Sequence, residues 1–118
     1  MPLNSFCRVE ISVADLKRAK KFYKSVFEWN FESVDNDSVL FNPPDGIGGS
    51  LVKSDSKNDT SSVTIFIQVE DTEKILESIV ENGGTIEQIK TEIPNIGWFA
   101  IFRDTEGNLI GLLEEYKK

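Results

Sequence analysis

Apolar and polar side chains alternate along residues 6–13. Cys7, Val9, Ile11 and Val13 are apolar, and Arg8, Glu10 and Ser12 between them are polar, the period-two pattern of a strand with one face against a core. Asp15 follows at once, placed to cap a helix in which Leu16, Ala19, Phe22, Tyr23, Val26 and Phe27 recur at three- and four-residue spacing. That spacing predicts one buried helix face. Short strands are predicted over 30–34, 38–41 and 49–52. They are separated by the turn formers Asn36 and Asp37 and then by Asn42, Pro43, Pro44, Asp45 and Gly46.

The same order returns 56 positions later. Val63, Ile65, Ile67 and Val69 alternate with Thr64, Phe66 and Gln68, and Asp71 opens a second helix carrying Ile75, Leu76, Ile79 and Val80. Gly83 and Gly84 end it, and strands are predicted over 85–89, 97–102 and 109–114. Between the copies, residues 53–61 are Ser, Lys, Asn and Asp-rich and read as an exposed connector. Two copies are too few for a solenoid. The expectation is one α+β domain of two tandem βαβββ modules, about residues 4–57 and 58–118, related by an approximate internal twofold. Curved mixed sheets would enclose a cleft, with the helices outside.

Composition adds to this picture mainly by exclusion. A chain of 118 residues with 39% hydrophobic and 10% aromatic residues can build a real core. Its net charge of −7 argues against a nucleic-acid partner, because phosphate contacts need a basic surface. The one dense basic cluster, Lys17, Arg18, Lys20 and Lys21, falls on the first helix and reads as a solvated face. Cys7 is the lone cysteine, so an intrachain disulfide is excluded, and on the apolar side of its strand it acts as a small hydrophobe. No apolar run approaches membrane-spanning length and Met1 does not open a signal-peptide pattern, so no membrane partner and a cytoplasmic location are expected. Histidine is absent, which removes conventional Ser or Cys relays.

Two strings carry a family resemblance: Val13, Ala14, Asp15, Leu16, Lys17, Arg18, Ala19, Lys20, Lys21, Phe22, Tyr23, and Phe102, Arg103, Asp104, Thr105, Glu106, Gly107, Asn108. With the βαβββ duplication they resemble the vicinal oxygen chelate superfamily, which includes glyoxalase I, extradiol dioxygenases, and fosfomycin and bleomycin resistance proteins. Thr105 stands where the family's late turn usually has Pro. The resemblance implies a homodimer and, in members that do chemistry, a divalent metal held by His and Glu on the first and last strands of each module. Aligned on the motifs, those positions fall at Arg8, Ser50, Thr64 and Gly111. A fixed cation, two hydroxyls and a hydrogen make no cage for a divalent ion. Neither a metal nor another cofactor is expected.

The side chains left for the predicted concave faces are Arg8 and Glu10 from the first strand, Thr64, Phe66 and Gln68 from its copy, and Leu109, Gly111 and Leu113 from the last, bordered by Trp98 and Phe102. Apolar and aromatic walls with a few directed polar groups suit a small organic molecule, anionic or aromatic. The preferred function is metal-independent binding of such a ligand, with Arg8 pairing an anionic group. One alternative is a glyoxalase I-like lyase or isomerase, or a dioxygenase-like enzyme, in which Glu10 is acid or base and Arg8 stabilises an oxyanion. Another is a module that only dimerises. In a bland reading Phe66, Leu109 and Leu113 fill a closed core and Arg8 neutralises Glu10. An open cleft predicts that Gly111→Glu folds, its side chain entering solvent. The remaining acidic residues, including Asp35, Asp37, Asp55, Asp59, Glu114 and Glu115, read as solvated charge.

Overall fold

The computed structural model describes residues 3–4, 8–54 and 64–117. Phe6, Cys7, Val63, Asp55 and Asp59, and with them most of the predicted connector, lie outside the described residues. The chain divides into two units, Met1–Lys57 and Asn58–Lys118, and each holds one βαβββ module.

The first unit runs β1 (Val9–Val13), α1 (Leu16–Phe27), β2 (Asn30–Ser33), β3 (Ser38–Asn42) and β4 (Gly49–Lys53). Its sheet has the order β1-β4-β3-β2, with β1 parallel to β4 and the other pairs antiparallel. Asp15 caps α1 by accepting from the Arg18 backbone N–H at 3.0 Å, which satisfies one of the donors a helix start leaves open. Alternation then sets the core: Ile11, Val13, Val39, Phe41 and Leu51 face α1 and are buried against its Ala19, Phe22, Tyr23 and Val26. Trp29, just beyond the helix, slots between Tyr23 and Phe41 with ring centroids 4.8 and 4.3 Å away, both nearly parallel.

The second unit repeats the plan with β5 (Phe66–Gln68), α2 (Thr72–Glu81), β6 (Thr85–Ile93), β7 (Gly97–Arg103) and β8 (Leu109–Glu115), in the order β5-β8-β7-β6. The fold is therefore α+β: two four-stranded mixed sheets, each carrying one helix. Among the described residues no helix is long and apolar enough to cross a membrane. Leu76 and Ile79 of α2 are buried, as are Ala100, Phe102, Ile110 and Leu112 of the sheet.

Three sequence expectations are corrected in this unit. β5 has three residues rather than the seven of the alternating run. β6 continues to Ile93 and is irregular, its pairing with β7 shifting between Ile86 and Gln88 and again before Thr91. Val80 lies off the buried stripe of α2 and is 53% exposed.

Glu114 is a further correction. It is no solvated terminal charge but 7% exposed on β8, where its Oε1 accepts from the Thr72 backbone N–H at the start of α2, 2.7 Å away, and lies 3.6 Å from Lys90 Nζ. The Thr72 N–H holds the carboxyl below the ordinary carboxylate range, with Lys90 adding to it and burial opposing. A depressed folded-state pKa stabilises the fold above the unfolded value and loses that contribution as pH falls through the folded one. Urea titrations of the wild type and Glu114→Gln are thus expected to show the largest stability gap at neutral pH. The gap should close as pH drops below the ordinary glutamate range. A gap independent of pH would contradict the ionised cap.

Candidate functional site

Each sheet has a second face, turned away from its helix, and most of the sequence-predicted site residues lie on one of these two faces. On the first sheet, Glu10 stands opposite Ser50, which stands opposite Leu40. Arg8 precedes the strand, and its Nη2 donates to Ser50 Oγ. Ser50 is buried, whereas Arg8 and Glu10 are exposed. Arg8 therefore takes a hydroxyl partner and makes no ion pair with Glu10, contrary to mutual neutralisation. Arg8 and Ser50, two of the four positions at which the family resemblance would set metal ligands, are thus bonded to each other.

On the second sheet the register brings Phe66, Gly111 and Ile101 into one cross-strand row, and Gln68, Leu113 and Phe99 into the next. Side chains in register on neighbouring strands share a face. Gly111 is bare at this point because the Phe66 ring occupies its side-chain space: a Cβ built there would lie 2.3 Å from Phe66 Cδ2 and 2.4 Å from Cε2. The expectation that Gly111→Glu projects freely into solvent is corrected accordingly. Phe66 is nevertheless 46% exposed, with Phe99, Ile101 and Leu113 half-buried around it. The row is thus an aromatic surface rather than a closed core. Thr64, at its edge, is exposed.

Polar groups mark the ends of this apolar face. Gln68 Nε2 donates to Glu115 Oε1 at 2.6 Å, and a depression of about 520 Å³ opens there, bordered by Gln68, Glu70, Glu115 and Tyr116. At the other end Arg103 donates to Glu87 Oε1 and to the Gly107 carbonyl, both at 2.8 Å. Beside it the turn motif explains itself: Asp104, buried, accepts through Oδ1 from the Glu106 and Asn108 backbone N–H groups at 2.8 Å each, and through Oδ2 from Asn108 Nδ2 at 3.0 Å. Gly107 takes the left-handed φ of 86° that closes the turn.

Trp98 and Phe102 do not border this face. The register pairs Trp98 with Glu114 and Phe102 with Ile110, which puts both on the helix side. Phe102 is fully buried beneath α2. Trp98 packs edge-on against Tyr116 at 4.9 Å and carries Lys90 Nζ 4.6 Å above its ring. The residues that take their place, Phe99 and Ile101, were legible from strand parity once the pairing of β7 with β8 was known.

On neither sheet do the residues at these positions fit a divalent metal: on the first, Arg8 is a fixed cation donating to the Ser50 hydroxyl, and on the second, Thr64 offers one hydroxyl and Gly111 is covered by the Phe66 ring. Among the described residues no three His, Cys, Asp or Glu side chains cluster closely enough to hold an ion.

Comparison with known proteins agrees with this architecture. Residues 5–112 match the family model of the glyoxalase/bleomycin resistance protein/dioxygenase superfamily. A glyoxylase-like domain-containing protein of Didymella fabae is 29% identical over 109 residues, covering 85% of each chain. Among solved structures, a glyoxalase/bleomycin resistance protein/dioxygenase family enzyme from Burkholderia phytofirmans PsJN superposes with a TM-score of 0.80 at 14% identity, covering 92% of this chain and 97% of that one. The fosfomycin resistance protein FosX of Listeria monocytogenes, in a crystal with Mn(II) and sulfate, gives a TM-score of 0.82 at 16% identity and covers 98% and 93%. At such identities the likeness is one of fold.

Proposed function

The chain belongs to the glyoxalase/bleomycin resistance protein/dioxygenase superfamily, and from that premise we propose that it binds a small organic molecule without a metal, on the open face of its second sheet. The observation that carries this reading is Phe66 lying over Gly111. Where metal-binding relatives place a carboxylate, this sheet offers an exposed aromatic ring among Phe99, Ile101 and Leu113. Such a surface takes a flat apolar or aromatic body by stacking and area burial, and Gln68 with Glu115 gives it one polar end. Arg8, read on the first sheet alone, is proposed as an anion contact, with Ser50 fixing one guanidinium nitrogen. A homodimer in the cytoplasm is part of the same proposal.

The anionic dye 1-anilinonaphthalene-8-sulfonate is a suitable probe. Saturable 1:1 binding is expected, weakened about tenfold by Phe66→Ala because losing the stacked ring costs about 1.4 kcal/mol. Gly111→Ala should produce a similar loss by driving the ring off its seat, at a stability cost of about 1–3 kcal/mol for overpacking. Unchanged affinity in both variants would reject the aromatic face as the site.

A further inference from the structure

The helix side of the second sheet carries another surface, apart from the proposed ligand face. Between the exposed side of α2 and the edge strand β6 runs a groove of about 630 Å³. Its floor is apolar: Leu76 lies at the bottom, with Val80 53%, Ile86 40% and Ile89 69% exposed along it. Contiguous exposed apolar side chains of this kind mark contact surfaces, whereas single ones are ordinary. The shifts of register in β6 turn this part of the strand away from regular pairing with β7, so Ile89 is offered outward.

The α2 side of the rim is anionic. Glu73, Glu77 and Glu81 line the groove from α2, and all three are exposed with no ion pair among the described residues. Glutamates at successive i, i+4 positions repel one another and weaken the helix by a few tenths of a kcal/mol per pair. The row spans about 12 Å at the helical rise of 1.5 Å per residue, so it presents three anionic points at regular steps. Lys90 also borders the groove, but it is held by Glu114 and the Trp98 ring and does not neutralise the rim.

We propose that this groove docks a basic amphipathic helix of a partner protein, its apolar stripe on Val80, Ile86 and Ile89 and its Lys or Arg residues facing Glu73, Glu77 and Glu81. A row of charges at helical spacing beside an apolar floor complements a helix presenting both features in the same period. A single compact cation would meet only one point of the row. A second copy of this chain fits less well, because α1 exposes Lys17, Arg18, Lys21 and Lys24 but keeps its apolar residues buried or half-buried and brings nothing to fill the floor.

The test is fluorescence anisotropy with a labelled synthetic helix of leucine and lysine at helical period, at low and at physiological salt. Saturable binding is expected, at least tenfold weaker for the Val80→Ser/Ile89→Ser pair. The same loss is expected for Glu73→Gln/Glu77→Gln/Glu81→Gln, together with a flatter salt dependence. Removing three charges that do not line the groove, by Glu28→Gln/Glu32→Gln/Asp37→Asn, should leave binding within about twofold. Equal weakening by this control, or equal binding of a peptide with serine replacing leucine, would overturn the groove in favour of diffuse charge attraction. Competition by dodecyltrimethylammonium at the peptide's own affinity would overturn the helical partner. Self-association lost in the Ile89 variant would overturn it in favour of a second copy.

Discussion

Replacing Phe102 by alanine is expected to destabilise the protein by about 3–5 kcal/mol, the usual result of emptying an aromatic site in a packed core. The side chain is fully buried beneath α2 beside Ala100, Ile110 and Leu112, and a loss of that size is a large part of a small domain's total stability. Phe102→Leu, which keeps most of the volume, should lose much less. Urea denaturation of both variants measures this directly. Dye affinity per folded molecule should not change, because Phe102 lies on the opposite side of the sheet from Phe66. A Phe102 variant that kept its stability but lost the dye would return this residue to the binding face and invert the assignment.

The second large effect is expected at Asp104. Its carboxylate accepts from two backbone N–H groups and from the Asn108 amide, and it is buried. Asp104→Ala leaves those donors without their acceptor, which costs about 2–4 kcal/mol when several bonds to one charged group are lost. Asp104→Asn should keep part of it, since one acceptor oxygen survives. Hydrogen exchange of the Glu106 and Asn108 amides would locate the change: both should lose protection in the alanine variant, while amides of β7 exchange only with global unfolding. Retained protection at these two positions would mean that the turn holds without its carboxylate.

These two residues also show what the sequence could and could not disclose. Helix positions were legible because Asp15 and Asp71 announce the caps and the apolar stripes follow at helical period. Both helices begin where those aspartates lead. The repeated sheet order could be expected from the duplication itself. Which side chains share a face was harder, since parity within one strand says nothing about its register with the next, and a shift of one residue moves every side chain to the other face. For that reason the sequence pattern alone sets Trp98 and Phe102 on the ligand side, whereas the register of β7 with β8 puts Phe99 and Ile101 there.

Glu114 was obscured differently. A carboxylate four residues from the chain end reads as solvated, and only the packing of α2 against the sheet makes it a cap for Thr72. Phe66 and Gly111 were both singled out from the sequence, but that one covers the other depends on the parallel pairing of β5 with β8, which no local pattern encodes. Val80 belonged by spacing to the buried stripe of α2. Its exposure reflects where the helix crosses the sheet, again a tertiary fact.

In the proposed function an aromatic surface over Gly111, and no bound metal, holds the ligand. Calorimetric titration of the protein, stripped with EDTA, is the direct measurement: Mn(II), Ni(II) and Zn(II) in separate runs, and the anilinonaphthalene dye with and without EDTA. The expected result is no stoichiometric metal binding, together with dye binding that EDTA does not alter and Phe66→Ala weakens about tenfold. One tightly bound equivalent of metal, weakened by Glu10→Gln and required for the dye to bind, would contradict it.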